Sequence, residues 1–151
     1  MKAFNTAGPC VPGRDYMLDP LARLPDALRL AEQGKYFVVH APRQTGKTTA
    51  LRTMAKELND TGRYAAVRVS CERAGGVDDL ALAQEAILRG LRFAVEDQGL
   101  PPDCQPPEQW PELTPLDAVY AALRAWSRKS SLPLVLLFDE IDADRPARHP
   151  P

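Results

Sequence analysis

Short β-type runs alternate along the chain with segments of helical spacing. Three runs rich in aliphatic and aromatic residues predict strands: 36–40 (YFVVH), 64–70 (YAAVRVS) and 134–138 (LVLLF). The second run places Val67 and Val69 opposite Arg68, which is typical of a strand at a sheet edge. The third contains no polar residue, as expected of a parallel strand that helices cover on both faces.

Helices are predicted between these strands. Apolar residues recur at helical spacing after the first run as far as Gly62, and a second helix is expected between Asp79 and Gly99. A third helix is predicted to open at Thr114. The proline-rich segment 101–111 is expected to be a loop of the same fold. The repeated β-α-β order predicts an α/β fold with a parallel sheet.

Composition and charge exclude several classes of function. The 151 residues include 19 basic and 20 acidic ones, and a formal charge of -1 supplies no broad positive field for nucleic acid or an anionic membrane. Neither a membrane span nor a signal peptide is predicted, so we expect a cytoplasmic chain. The three cysteines are too far apart in sequence to indicate a disulfide framework or a metal knuckle. Five arginines are interspersed with acidic residues and therefore predict no nucleic-acid surface: Arg63, Arg68, Arg73, Arg89 and Arg92.

The junction between the first strand and the first helix carries a phosphate-binding signature. The segment 41–49 (APRQTGKTT) contains the Gly-Lys-Thr that ends a phosphate loop. Successive backbone N–H groups of such a loop surround phosphate oxygens at a helix N-terminus, where the helix dipole favours negative charge. We therefore predict nucleotide contacts from Pro42, Arg43, Gln44, Thr45, Gly46, Lys47, Thr48 and Thr49.

Three of these residues have separate predicted roles. Gly46 permits the loop to curl, Lys47 reaches the β- and γ-phosphates, and the Thr48 hydroxyl is a suitable oxygen ligand for Mg²⁺. Ala41 stands where the strict pattern has its first glycine, and Pro42 biases Ala41 towards an extended conformation that a strand end tolerates. The alternative interpretation is a glycine-bearing surface turn with a solvated lysine.

Two adjacent carboxylates follow the last predicted strand. Asp139 is expected to hold the Mg²⁺ shell beside Thr48, while Glu140 is expected to orient a water molecule in line with the γ-phosphate or to accept its proton. Together with Lys47, Glu140 is the predicted catalytic residue of a nucleotide hydrolysis. The alternative is that both acids begin a polar loop after a buried strand.

The segments HAPRQTGKTTAL (40–51) and LLFDEID (136–142) resemble the AAA-like P-loop ATPases of prokaryotes, in the branch with an additional glutamate after the Walker B aspartate. This resemblance covers about residues 4–142. It implies ATP and Mg²⁺ as ligands and a three-layer P-loop NTPase sandwich with five parallel strands in the order 5-1-4-3-2. It also implies that Ser70 restrains Glu140. The resemblance also places three residues near the adenine: Asp15, Tyr16 and Met17. The alternative is that they form an N-terminal strap in which Tyr16 packs on the core.

The predicted strands account for three of the five in that sheet. The fourth strand of that sheet, which lies between the first and third strands in the sheet order, is missing from the sequence. The first and last runs are therefore not expected to pair. We expect a truncated or frame-shifted version of a longer ATPase. The expected organisation is a lead-in strap and helix over 1–33, a partial P-loop core over 34–142 and an irregular tail over 143–151.

Three functions are compatible with these residues. The favoured one is ATP binding with Mg²⁺-dependent hydrolysis. The second is a nucleotide-binding fragment without hydrolysis, or an interaction module. The third is a P-loop kinase for a small molecule, which needs an acceptor pocket and a lid of arginines that the sequence does not indicate. Besides the nucleotide, the partner considered is another protein or a second copy of the chain, and neither a membrane nor a nucleic acid is expected.

Overall fold

The fold was analysed in a computed structural model that describes residues 13–16, 19–22, 24–42, 45–112 and 117–141. Its helices and strands, in chain order, are α1 (Ala27–Glu32), α2 (Lys47–Asp60), β1 (Ala65–Ser70), α3 (Leu80–Gln98), α4 (Ala118–Lys129) and β2 (Leu134–Asp139). Two short 3₁₀ turns lie at Glu72–Ala74 and Pro102–Cys104. Among the described residues, no helix combines the length and apolar character that crossing a membrane requires.

The two strands pair in parallel although two helices separate them in sequence. The register runs from Ala65 opposite Leu134 to Ser70 opposite Asp139. Because both strands run in the same direction, their carboxyl ends meet at one edge of the sheet. The predicted α/β fold with a parallel sheet is confirmed.

The sheet is covered by helices on both faces. On one face, Val67 and Val69 of β1 belong to a buried cluster with Leu91 of α3 and Trp126 of α4. On the other face, Ala66 of β1 belongs to a second cluster, whose further members include Met54, Leu58 and Leu137. Alternate residues of a strand point to opposite faces, so β1 supplies both layers of the core.

The prediction of a strand at 36–40 is wrong for the described structure. The sheet formed by the described residues has two strands, and the segment 36–40 carries no strand pairing. Phe37 packs against the second cluster, which contains Met54 and Leu58 of α2, whereas Tyr36 and Val38 are 105% and 77% exposed. A β-rich sequence becomes a strand when a neighbour accepts and donates its backbone hydrogen bonds. No described strand lies between 36–40 and β2, in agreement with the expectation that these two runs do not pair.

The predicted helix boundaries hold where the structure describes them. The side chain of Asp79 accepts a hydrogen bond from the Leu82 N–H at 3.0 Å and caps the start of α3. Gly99 ends the same helix in the left-handed conformation, at φ 64°. The predicted opening of α4 at Thr114 lies outside the described residues, and the helix is described from Ala118.

The proline-rich segment packs onto the helices as a loop of the same fold. The guanidinium of Arg92 donates hydrogen bonds at 2.9 Å to the carbonyls of Pro107 and Glu108 and lies 4.5 Å from the ring centroid of Trp110. The buried indole N–H of Trp126 donates to the carbonyl of Cys104 at 2.8 Å. These contacts join the loop to α3 and α4.

Candidate functional site

The predicted phosphate loop leads directly into α2. Gly46 precedes the helix with φ 86°, a left-handed value that glycine adopts without a steric penalty. The ammonium of Lys47 donates hydrogen bonds to the carbonyls of Ala41 and Pro42, the latter at 3.0 Å, and the Thr45 hydroxyl donates to Pro42 at 2.8 Å. These bonds close the loop upon itself. Arg43 and Gln44, two further predicted contacts, lie outside the described residues.

The direction of α2 brings its first turn towards the carboxyl ends of the strands. Asn59, in the last turn of α2, hydrogen-bonds the backbone of Ala66 at the beginning of β1. Since α2 packs along β1 and β2, its first turn lies towards the opposite end of the strands. That turn contains Thr48 and Thr49, which are both half-buried. The Thr48 hydroxyl makes no hydrogen bond within the described part of the chain.

Asp139 is the last residue of β2 and is 3% exposed. Its carboxylate accepts a hydrogen bond from the guanidinium of Arg68 at 2.8 Å, which forms an ion pair across the sheet. The sequence prediction missed this partner. From the sequence, Arg68 is considered only as one of several arginines interspersed with acids, although its alternation with Val67 and Val69 is a signal that its side chain points to one face of a covered strand.

Glu140 turns back towards β1 immediately after the strand. Its φ of 58° is left-handed, which is uncommon for a residue with a side chain and marks a sharp change of direction. The Ser70 hydroxyl donates a hydrogen bond to the Glu140 carboxylate at 3.1 Å. The predicted contact between these two side chains is therefore present. Because Glu140 is exposed, its carboxylate is accessible to water.

The structure brings some of the predicted residues together and leaves others apart. Within the described ranges, no hydrogen bond or ion pair joins Lys47 or Thr48 to Asp139 or Glu140. Of the residues expected near an adenine, Asp15 is 4% exposed and pairs with Arg14 at 3.3 Å, whereas Tyr16 is 55% exposed. Met17 lies outside the described residues.

A buried thiol lies beside the carboxylates. The Cys71 N–H donates to the backbone carbonyl of Asp139 at 2.8 Å. Burial raises the pKa of the Cys71 thiol above its ordinary value, and the negative charge of Asp139 raises it further. Both effects disfavour the thiolate, so Cys71 contributes a neutral side chain to this end of the sheet.

The oxygen atoms at this end of the sheet fit a magnesium ion that is held partly by phosphate. Mg²⁺ prefers hard oxygen ligands and commonly keeps several waters while binding one or two carboxylates and substrate phosphates. Thr48 and Asp139 offer a hydroxyl and a carboxylate of this kind. The described residues contain no group of three or more His, Cys, Asp or Glu side chains that could hold a metal ion.

The family model of the AAA ATPase domain matches residues 11–149 of the chain. The chain belongs to this family. The AAA ATPase domain is a P-loop NTPase, so its general function is nucleotide binding of the ATPase type, as the resemblance of the two sequence motifs implied. No curated protein and no solved structure matches the chain.

Proposed function

We propose that this AAA ATPase domain binds ATP together with Mg²⁺ and hydrolyses it. The observation that carries the proposal is the arrangement at the end of β2, where the buried Asp139 is followed by an exposed Glu140 held by the Ser70 hydroxyl at 3.1 Å. The two adjacent carboxylates have different environments, which suits them to different tasks. The first turn of α2 lies towards the same end of the strands.

Each of these groups has a role in the proposed reaction. Lys47 leaves the loop carbonyls and binds the β- and γ-phosphates, while Thr48 and Asp139 hold Mg²⁺ directly or through water. Bound Mg²⁺ neutralises charge on the phosphate oxygens. Glu140 orients the attacking water and accepts its proton. The remaining contacts in the proposed phosphate loop come from Pro42, Arg43, Gln44, Thr45, Gly46 and Thr49.

The proposed domain organisation keeps the three segments that are predicted from the sequence. The nucleotide-binding core is assigned to residues 34–142, with a lead-in over 1–33 and a tail over 143–151. This assignment makes a simple prediction for limited proteolysis. Bound Mg²⁺-ATP is expected to protect bonds within 34–142 more than bonds in the two flanking segments, because ligand binding stabilises the folded core.

Nucleotide binding without hydrolysis is a second candidate function. It is favoured by one observation, which is that no strand in the described part of the chain pairs with the segment 36–40 that leads into the phosphate loop. If this second candidate is correct, the chain binds Mg²⁺-ATP but releases no phosphate. Binding and hydrolysis therefore have to be measured separately.

Binding is tested by thermal unfolding with and without Mg²⁺-ATP. A ligand at 100 times its Kd stabilises the folded state by about 2.7 kcal/mol. Lys47→Ala is expected to weaken binding at least about tenfold, because hydrogen bonds to charged groups contribute about 1.5–3 kcal/mol. Lys56→Ala is the matched control, since Lys56 lies on the same helix in an exposed pair with Asp60. No upward shift in the wild type, or an equal shift in Lys47→Ala, would refute the proposal.

Hydrolysis is tested by phosphate release. Glu140→Gln is expected to slow release by about 10²–10⁴, the usual contribution of a general base, while ATP binding is retained. Glu57→Gln is the control, because Glu57 is an exposed glutamate on α2. Phosphate that appears without any added acceptor also excludes a kinase reaction as its source. Binding without phosphate release would select the second candidate.

A further inference from the structure

The ion pair between Arg68 and Asp139 is the most buried one in the described part of the chain. The Arg68 side chain is 18% exposed and that of Asp139 is 3% exposed, whereas the other pairs each have at least one side chain that is more than half exposed. A buried carboxylate is stable when a positive charge compensates it. Arg68 is the residue that supplies this charge in the described structure.

The pairing follows from the register of the sheet. Arg68 lies opposite Leu137, and Ser70 lies opposite Asp139, so Arg68 is one step earlier on the face that carries Asp139. This is the face that α2 covers. A cation that binds Asp139 from the α2 side therefore approaches the carboxylate where the guanidinium of Arg68 already binds.

Two cations cannot share one buried carboxylate without strong repulsion between them. Mg²⁺ carries twice the charge of the guanidinium, and charge repulsion is largest where little water screens it. If Asp139 binds Mg²⁺ directly, which is one of the two arrangements in the proposed function, the ion pair with Arg68 has to open when the metal binds.

The structure permits Arg68 to move without moving β1. The side-chain amide of Gln98 accepts from the Arg68 N–H at 3.0 Å and donates to the Arg68 carbonyl at 2.9 Å, which fixes the backbone at this position. The arginine side chain has several rotatable bonds and reaches solvent. A change of rotamer is therefore sufficient to release the carboxylate.

We propose that Arg68 and Mg²⁺ exchange at Asp139. Without the metal, Arg68 neutralises the buried carboxylate and occupies its place, and binding of Mg²⁺-ATP displaces the guanidinium. The exchange lowers the affinity for Mg²⁺ and couples metal binding to a rearrangement on β1. This inference rests on the proposed function, and of its two arrangements it takes the one in which Asp139 binds Mg²⁺ directly.

The test is the ratio of the ATP dissociation constant in EDTA to that in excess Mg²⁺, measured by titration calorimetry on the full chain. Arg68→Gln removes the competing cation and leaves the carboxylate unpaired, so the ratio is expected to rise about tenfold, equivalent to about 1.4 kcal/mol. Arg68→Lys retains a cation and is expected to keep a ratio close to that of the wild type. Arg63→Gln, which loses an exposed pair with Glu32, is the matched control and is expected to leave the ratio unchanged.

The alternatives give different results. A lower ratio in Arg68→Gln would mean that Arg68 positions Asp139 for the metal, and an unchanged ratio would mean that the pair is structural; either result overturns the exchange. If the wild-type chain binds ATP in neither condition, the proposed function fails and the exchange fails with it. If the wild type binds Mg²⁺-ATP but the ratio does not rise in Arg68→Gln, the exchange alone is refuted.

A second measurement uses the wild-type side chain, in case Arg68→Gln does not fold. The NMR signal of the Arg68 guanidinium, assigned by its absence in Arg68→Lys, is expected to exchange faster with solvent in Mg²⁺-ATP than in ATP with EDTA. A guanidinium released from a buried carboxylate loses the hydrogen bond that protects its protons. Equal protection in both conditions would contradict the exchange.

Discussion

The edge of β1 that faces away from β2 is covered by two side-chain amides, and removing them should destabilise the domain. Asn59 accepts from the Ala66 N–H at 2.7 Å and donates to the Ala66 carbonyl at 2.9 Å. Gln98 forms the same pair of bonds with the backbone of Arg68, at 3.0 and 2.9 Å. Each amide therefore replaces one residue of a neighbouring strand, because it offers one donor and one acceptor. The perturbations are Asn59→Ala and Gln98→Ala.

The expected losses of stability differ because Ala66 is buried, whereas Arg68 is half-buried and its partner Gln98 is exposed. Ala66 is 0% exposed, so its N–H and carbonyl are poorly placed to bond to water when the amide is removed. Two hydrogen bonds of about 1–1.5 kcal/mol each predict a loss of about 2–3 kcal/mol in Asn59→Ala. This corresponds to a fall in Tm of roughly 4–12 °C for a chain of this size. Gln98 is exposed, and water replaces part of its contribution, so Gln98→Ala is expected to cost about 1 kcal/mol.

The assay is thermal and urea unfolding followed by circular dichroism. Glu57→Ala and Asp97→Ala are controls at exposed positions of α2 and α3. A stability of Asn59→Ala within about 0.5 kcal/mol of Glu57→Ala would refute the reasoning.

The same variants should also increase self-association. An uncovered strand edge presents unpaired backbone groups to a second chain. Size-exclusion chromatography over a range of protein concentrations is expected to show a larger associated fraction for Asn59→Ala and Gln98→Ala than for Asp97→Ala. An equal elution profile at every concentration would mean that the amides do not protect the edge.

Three further predictions concern single side chains. Trp126→Phe removes the buried donor to the Cys104 carbonyl and is expected to lower the free energy of unfolding by about 1–3 kcal/mol in urea titrations. Ser70→Ala frees Glu140 and is expected to raise basal phosphate release several-fold at unchanged ATP affinity; an unchanged rate would contradict restraint by the hydroxyl. Because burial raises the pKa of Cys71, iodoacetamide should modify it more slowly at pH 8 than it modifies an unstructured cysteine peptide, as mass spectrometry can follow. Because the folded state raises the pKa of Cys71, the free energy of unfolding is expected to fall as the pH rises from the ordinary pKa of a cysteine through this raised pKa.

Features that depend on neighbouring residues in sequence could be predicted from the sequence. Gly46 and Lys47 mark the start of α2, Asp79 caps α3 and Gly99 ends it, because each feature is decided by local backbone conformation and capping. The segment 36–40 has strand propensity of the same quality as β1 and yet pairs with no strand among the described residues. Propensity is local, whereas a ladder requires a second strand at the right distance.

The contacts of the candidate site also differ in whether the sequence could predict them. The bond between Ser70 and Glu140 is expected only from the resemblance to the prokaryotic AAA-like ATPases, and the structure contains it. The pair between Arg68 and Asp139 joins residues 71 positions apart, and a shift of the register by one residue would turn one of them to the opposite face. The register that buries the apolar residues on both faces of β1 is thus the same one that places Arg68 on the carboxylate. An arginine between two buried valines is therefore better interpreted as one half of a buried pair than as a solvated charge.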